Sequence, residues 1–312
     1  MGLQGEYRPL MRFLSPLIFL FACSLYSADR PNILFAIADD WGWPHAGSYG
    51  DPVVKTPTFD RLAKEGAMFR HAYVSSPSCT PSRGSILTGQ WHWRLEGAGN
   101  LWSVFPDKYD TYPELLARAG YVIGVSSKGW GPGRTQKKGR QLAGPRYRNF
   151  SAFMESRESG KPFCYWLGSS DPHRGYAKGS GVKSGMDLSK IKLFPHFPDS
   201  NEVRSDVADY YFEVQRFDSL VGEAIKVLEQ SGELDNTIVV MTGDHGMPFP
   251  RCKSNNYDSG ARVPLAIRWP SKVKAGTVVN DFVSLVDVAP TFYRAADLDV
   301  PSDVSGRSLL SL

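Results

Sequence analysis

Four short, almost unbroken apolar runs constrain this chain more than any other feature: NILFAIA (32–38), YVIGVS (121–126), PFCYWLG (162–168) and TIVVMTG (237–243). Each is too short for a typical helix and lacks the alternation of a half-exposed strand. That is the pattern of strands buried on both faces of a parallel sheet. Helical signals separate them. In TPTFDRLAKEG (56–66), Thr56 is placed as an N-cap, Pro57 at the first helical position and Gly66 at the stop. TYPELLARAG (111–120) repeats that layout. Residues 203–230 put Val207, Tyr210, Val214, Phe217, Val221, Ile225 and Leu228 on one face of a long amphipathic helix. VPLAIRWP (263–270) reads as a further strand and 287–296 as a late helix. The alternation predicts an α/β fold, a mostly parallel central sheet flanked by helices on both faces. Residues 131–148 and 174–202 show no periodicity and read as long loops, segments that are often functional in a compact domain.

With 312 residues, 42% of them hydrophobic, the chain can bury one large core. The net charge of +4 suits anionic partners. No aromatic-basic RNA-binding pattern or zinc-finger spacing occurs, so nucleic acid is not an expected partner. Arg12, the apolar run from Phe13 to Leu25 and the small residues Ser27 and Ala28 predict a signal peptide over 1–28, with one catalytic domain over 29–312. The run is too short for a comfortable membrane span. Export follows, to a periplasm, to the exterior or to a lysosome-like compartment. Met11 is an alternative start, and Cys23 after LFA is an alternative lipid anchor. Without the signal segment Cys79, Cys164 and Cys252 remain, too few for a disulfide framework. Cys164 reads as core, and Cys252 lies in a polar loop with no assigned part.

Open α/β sheets bind ligands beyond the carboxyl ends of their strands. Asp39 and Asp40 follow the run 32–38, Lys128 follows 121–126, Asp171 and His173 follow 162–168, and Asp244 and His245 follow 237–243. Any one of these alone reads as a turn former or helix cap; four on one rim indicate a site. Asp39, Asp40 and Asp244 supply hard oxygen ligands, which favour calcium or magnesium over zinc. His245 is open to three roles: binding the metal, bonding to substrate, or pointing away. In SPSCTPSRGSILTGQ (76–90), Pro81 suits the first turn of a helix and places Cys79 at its N-terminus, with Arg83 one turn on. Helix amides and a nearby guanidinium predict a lowered thiol pKa and a cradle for an anion; a plain helix start with an incidental cysteine is the alternative.

The stretch CTPSRGSILTG resembles the signature of the formylglycine-dependent sulfatases of the alkaline phosphatase superfamily, Cys-x-Pro-Ser-Arg followed by four residues and Thr-Gly, matched at Cys79, Pro81, Ser82, Arg83, Thr88 and Gly89. RPNILFAIADDWGW and TIVVMTGDHG are similar to that family's first and last metal-binding strands. DPHRG and GMPFPRCKSNNYDSGARVPL look most like its heparan N-sulfatase branch. The resemblance implies that a maturation enzyme oxidises Cys79 to formylglycine. One hydroxyl of the hydrated aldehyde then attacks the sulfur of a sulfate ester or sulfamate, and loss of the second hydroxyl's proton releases sulfate. It also implies Ca2+ held by Asp39, Asp40, Asp244, His245 and residue 79, with Arg83 steadying the hydrate. Lys128 and Lys253 would clamp sulfate oxygens, and His173 would contact the sulfate or protonate the leaving group. The expected substrate is a sulfated saccharide.

The chain departs from the family pattern in two ways. Where many relatives read Gly-Lys-x-His, this chain has Ser127, Lys128, Gly129 and Trp130, which leaves His45 and His71 as replacement candidates and Trp130 as either a sugar-stacking or a packing residue. Relatives also continue into a small C-terminal subdomain, expected to be missing beyond SGRSLLSL. Two other functions compete: a phosphomonoester or phosphonate-ester hydrolase of the same superfamily, and a truncated inactive protein. The latter would bind anionic polysaccharide through Arg134, Lys137, Lys138, Arg140, Arg146 and Arg148.

Overall fold

A computed structural model describes residues 1–2 and 30–311; the apolar run 13–25 and Cys23 lie outside the described residues. The described strands, in chain order, are β1 (Asn32–Ala38), β2 (Ala67–Tyr73), β3 (Ser103–Phe105), β4 (Val122–Ser126), β5 (Gly133–Thr135), β6 (Phe163–Gly168), β7 (Thr237–Gly243), β8 (Arg262–Val263), β9 (Leu265–Arg268) and β10 (Thr277–Ser284). The helices are α1 (Pro57–Glu65), α2 (Cys79–Thr88), α3 (Tyr112–Arg118), α4 (Phe150–Ser156), α5 (Ser180–Lys183), α6 (Asn201–Gln230), α7 (Asp258–Ala261) and α8 (Val288–Ala295).

The main sheet runs β10-β2-β9-β7-β1-β6-β4, with β8 beside β2; β3 and β5 form a separate pair. β1 is at its centre, parallel to both β6 and β7, and all seven of its residues are buried. Successive side chains of a strand face opposite ways, and here both ways lead into core. Ile33, Phe35 and Ile37 join a cluster with Leu87 of α2, Leu116 of α3 and Phe292 of α8. Leu34, Ala36 and Ala38 join another with Phe59 of α1 and Phe217 and Val221 of α6. Each large side chain so buried contributes roughly 1.5–3 kcal/mol. The seven apolar positions expected along 203–230 are all buried on α6.

Three expectations are corrected. VPLAIRWP is broken at Pro264 into β8 and β9, and β9 runs antiparallel to both β7 and β2. β2 and β10 were not expected from the sequence. β2 carries the exposed Arg70, and β10 is a sheet-edge strand with exposed Asn280, Asp281 and Phe282, so neither reads as an apolar run. Thr56 makes no side-chain cap to α1. Its hydroxyl accepts from the Gly47 N–H at 2.9 Å, and Asp218 of α6 accepts the first amides of α1, Thr58 at 3.0 Å and Phe59 at 2.9 Å. The cap is supplied by tertiary contact, which local sequence cannot display. At α3 the expected start holds, with Thr111 and Glu114 forming a reciprocal capping box. The two long loops contain β5, α5 and a short 3-10 turn, Leu188–Lys190.

Candidate active site

The sheet order explains why residues 200 positions apart meet. β7, β1, β6 and β4 are consecutive parallel neighbours, so their carboxyl ends share one rim. Asp244, the pair Asp39 and Asp40, Asp171 with His173, and Lys128 leave that rim side by side. Backbone bonds lock the exits together: Asp39 N–H donates to Asp171 O at 3.0 Å and Asp244 N–H to Ala38 O at 3.2 Å. Two glycines permit the close approach. A Cβ at Gly168 would lie 2.0 Å from Lys128 O, and one at Gly243 2.1 Å from Trp41 O.

Cys79 opens α2 after Ser78, which has extended backbone, and its side chain is buried. Its Sγ lies 3.4 Å from Asp39 Oδ1 and 3.3 Å from His245 Nε2. One ligand atom from each of Asp39, Cys79, Asp244 and His245 falls within 4.8 Å of all the others, and Asp39, Asp40 and His173 satisfy the same limit. His245 Nδ1 is 3.0 Å from Gly246 O. Its Nε2 lies 3.1 Å from Asp40 Oδ1 and 3.5 Å from Asp244 Oδ1. The donor set, three carboxylates and one imidazole, fits a hard divalent ion.

Basic groups offset the buried charge. Arg83, fully buried, donates from Nε to Asp244 Oδ2 at 2.8 Å and from its terminal nitrogens to the carbonyls of Lys128, Gly129 and Ala38. Lys128 Nζ bonds to Asp39 Oδ2. Lys253 Nζ reaches both oxygens of Asp40, at 2.8 and 2.9 Å. Burial works against the Asp244 carboxylate, but His245, Arg83 and Lys128 together hold it well below the usual carboxylate range. Asp39 goes the other way, raised by burial and by its neighbour Asp244. Burial and the charges of Asp244 and Asp39 push the Cys79 thiol up to about 12. That is opposite to the lowered thiol predicted from the helix start: burial and the charges of Asp244 and Asp39 outweigh the lowering effect of Lys128 and Lys253.

A cavity of about 950 Å³ opens over this cluster. Asp39, Cys79, Lys128, His173 and Lys253 line it, whereas Arg83, Asp40, Asp244 and His245 lie beneath its floor, each with no exposure. His173 is exposed, with Nδ1 2.9 Å from Arg174 O. Trp130 packs edge-to-face on Phe105 at 5.4 Å, and its indole N–H is buried without a partner. Neither replacement histidine belongs to the site: His45 is buried against Tyr210, and His71 stacks on Phe282 near the sheet edge. Cys252, read as a loop residue, is fully buried.

Two groups of the site escaped the sequence reading. Ser82 Oγ donates to the Asp244 carbonyl and ties α2 to the rim. Glu213 of α6 is buried, faces the cavity beside Asp171, and has its carboxyl pKa raised by burial and by the Asp171 charge. The available signal was an acidic residue among the apolar positions of α6.

Known proteins resemble this chain in sequence and in fold. The family profile described as Sulfatase matches residues 31–298. Human N-sulphoglucosamine sulphohydrolase is 31% identical over 93% of this chain and 67% of its own length. An ulvan-active sulfatase of Formosa agariphila is 28% identical over 91% of this chain and 58% of its own. Among solved structures, a protein in complex with its substrate D-glucosamine-2-N,6-O-disulfate superposes with a TM-score of 0.71 at 25% identity, covering 90% of this chain and 80% of that one. The chain thus spans about two thirds or less of the length of these two curated relatives. With the signature around Cys79 and the rim carboxylates in place, the chain belongs to the sulfatase family.

Proposed function

We infer that this chain hydrolyses sulfate esters or sulfamates of a sulfated carbohydrate, with a nucleophile made from Cys79 by a formylglycine-generating maturation enzyme and with Ca2+ as the cation. One observation carries the reading: Cys79 Sγ at the start of α2 lies within 3.4 Å of both Asp39 and His245, at the floor of a cavity lined by two lysines. The signature around Cys79 supports conversion of the thiol over its direct use. Conversion also replaces sulfur with oxygen, which completes an oxygen-rich donor set suited to calcium. In that reading Asp39, Asp40, Asp244 and His245 hold the ion. When bound, it supplies charge that lowers the pKa of an adjacent hydroxyl and polarises the sulfuryl oxygens.

The remaining work falls to the chain's own side chains. Lys128 and Lys253 are anchored by Asp39 and Asp40 and still line the cavity, so their ammonium groups are placed to meet sulfate oxygens as negative charge develops. His173 stands on the cavity wall, where it can give a proton to the departing alcohol or amine. Arg83 does not line the cavity; it holds Asp244 and the Lys128–Gly129 backbone in position from below. The apolar run 13–25 supports action outside the cytosol. The test is sulfate release from a panel of sulfated oligosaccharides by chain co-expressed with a maturation enzyme, alongside the mass of the Cys79 peptide. A deficit of about 18 Da with release is expected; an unmodified thiol and no release would overturn the reading.

A further inference from the structure

A second cavity, of about 790 Å³, adjoins the active cleft. Gly129, Trp130 and Arg146 line both. Its other walls come from the β3–β5 pair and the segment that follows, which bring in Arg134, Lys138 and Arg140. Four cations line this hollow, and no carboxylate does. Only Arg140 is neutralised, by Glu114 at 2.7 Å, with Asp107 3.7 Å away. Among the described residues no ion pair involves Arg134, Lys138 or Arg146; Arg146 donates instead to the Ser127 carbonyl. Unpaired like charges collected in a concavity repel one another and raise the local concentration of anions.

The cleft is asymmetric in the same sense. On one wall the cations Arg174 and Arg216 are already paired, Arg174 with Asp206 and Arg216 with Asp171 and Glu213, which leaves little free positive charge for a second anion there. Another wall leads past Trp130 and Arg146 into the basic hollow. At its edge Trp102, 77% exposed, precedes β3 with a φ of 57° and lines the cleft. A bulky side chain held in the left-handed region is uncommon, and this one offers a flat apolar face to a sugar ring.

We propose that the hollow bounded by Arg134, Lys138 and Arg146 binds a second anionic group, a sulfate or carboxylate, on the sugar next to the one being desulfated. The substrate is then a polyanionic oligosaccharide that runs from the cleft across Trp130. The inference rests on the sulfatase reading for what happens in the cleft, and on charge and shape alone for the binding.

The test separates the two. Chain with Cys79→Ala is titrated calorimetrically with a heparin-derived tetrasaccharide and with N-sulfoglucosamine, with and without the pair Arg134→Ala and Lys138→Ala. The pair should weaken tetrasaccharide binding about tenfold or more and change the monosaccharide far less. Added salt should narrow the difference, and Arg134→Lys with Lys138→Arg should restore it. Equal tetrasaccharide affinity in both chains, or no binding by the parent, overturns the proposal. Pair-sensitive binding without sulfate release from any substrate removes the hydrolase reading and leaves the hollow intact. Release with pair-insensitive binding does the reverse.

Discussion

Arg83 Nε donates to Asp244 Oδ2 over 2.8 Å, and neither side chain has any exposure. An ion pair this deep is held by geometry: the guanidinium also satisfies three backbone carbonyls. Removing one partner strands the other in a medium that cannot solvate it. Arg83→Ala should therefore cost about 3–5 kcal/mol of unfolding free energy. Arg83→Lys should recover only part of it, because one ammonium cannot reach all four acceptors. Urea unfolding measures both; a loss below about 1 kcal/mol for Arg83→Ala would contradict the account.

With Cys79 converted as proposed, Cys79→Ser should lower sulfate release by about 10³-fold or more, because a serine cannot expel sulfate as a hydrated aldehyde would. Stability should change little, since the two side chains differ by one atom. Initial rates on an aryl sulfate and an aryl phosphate, in parent and variant, check both the nucleophile and the choice of ester. A faster phosphate rate would favour the phosphohydrolase alternative.

Lys253→Ala should lower kcat/KM by about 10²–10³. With the proposed cation bound, Asp40 would keep a positive partner, so the variant's melting temperature with saturating calcium should stay close to the parent's. Lys253→Arg keeps the charge and should restore part of the rate. An undiminished rate in Lys253→Ala would show that Lys253 does not act on the sulfate.

Chelation tests the cation. An ion at hundredfold its Kd stabilises the fold by about 2.7 kcal/mol if the unfolded chain does not bind it. EDTA should lower the melting temperature, calcium should restore it, and Asp40→Asn should blunt the response. A melting temperature indifferent to EDTA and calcium would contradict the metal reading.

Asp218 supplies a pH dependence away from the active site. Burial raises its carboxyl to about 6, against the lowering effect of the Phe59 and Thr58 amides. The folded chain thus keeps a proton that the unfolded chain loses near the ordinary Asp value. The folded state binds more protons between those two values, so this contribution is complete at the low end and declines as pH rises through 6. Relative to Asp218→Asn, which does not titrate there, the parent should lose up to about 3 kcal/mol of stability between pH 4 and 7. Chemical denaturation across that range measures it; a flat difference would show that Asp218 titrates at its ordinary value.

How much of this was legible beforehand depends on burial. Strands covered on both faces, such as Asn32–Ala38 and Thr237–Gly243, advertise themselves as apolar runs, and the rim residues after them were found from that alone. Strands with a wet face or a sheet edge were missed, as at Ala67–Tyr73 and Thr277–Ser284. The reversed direction of Leu265–Arg268 leaves no local trace, because a strand's composition does not encode which way its neighbours run. At the site, residue identities were readable and electrostatics were not. The thiol was expected to be acidic from its helix start, whereas the carboxylates that oppose this arrive from Asp39 and Asp244, 40 and 165 positions away. The cap of α1 by Asp218 escaped for the same reason.

The adjacency of β7, β1, β6 and β4 carries one more implication. Strand spacing in a sheet is fixed by the amide ladder at about 4.8 Å, so the spacing of Asp39, Lys128, Asp171 and Asp244 along the rim is inherited from the backbone. Side-chain choice in the flanking segments can drift without disturbing it. Variation in segment 174–202 can therefore redirect selectivity while the rim residues that follow β1, β4, β6 and β7 keep their spacing.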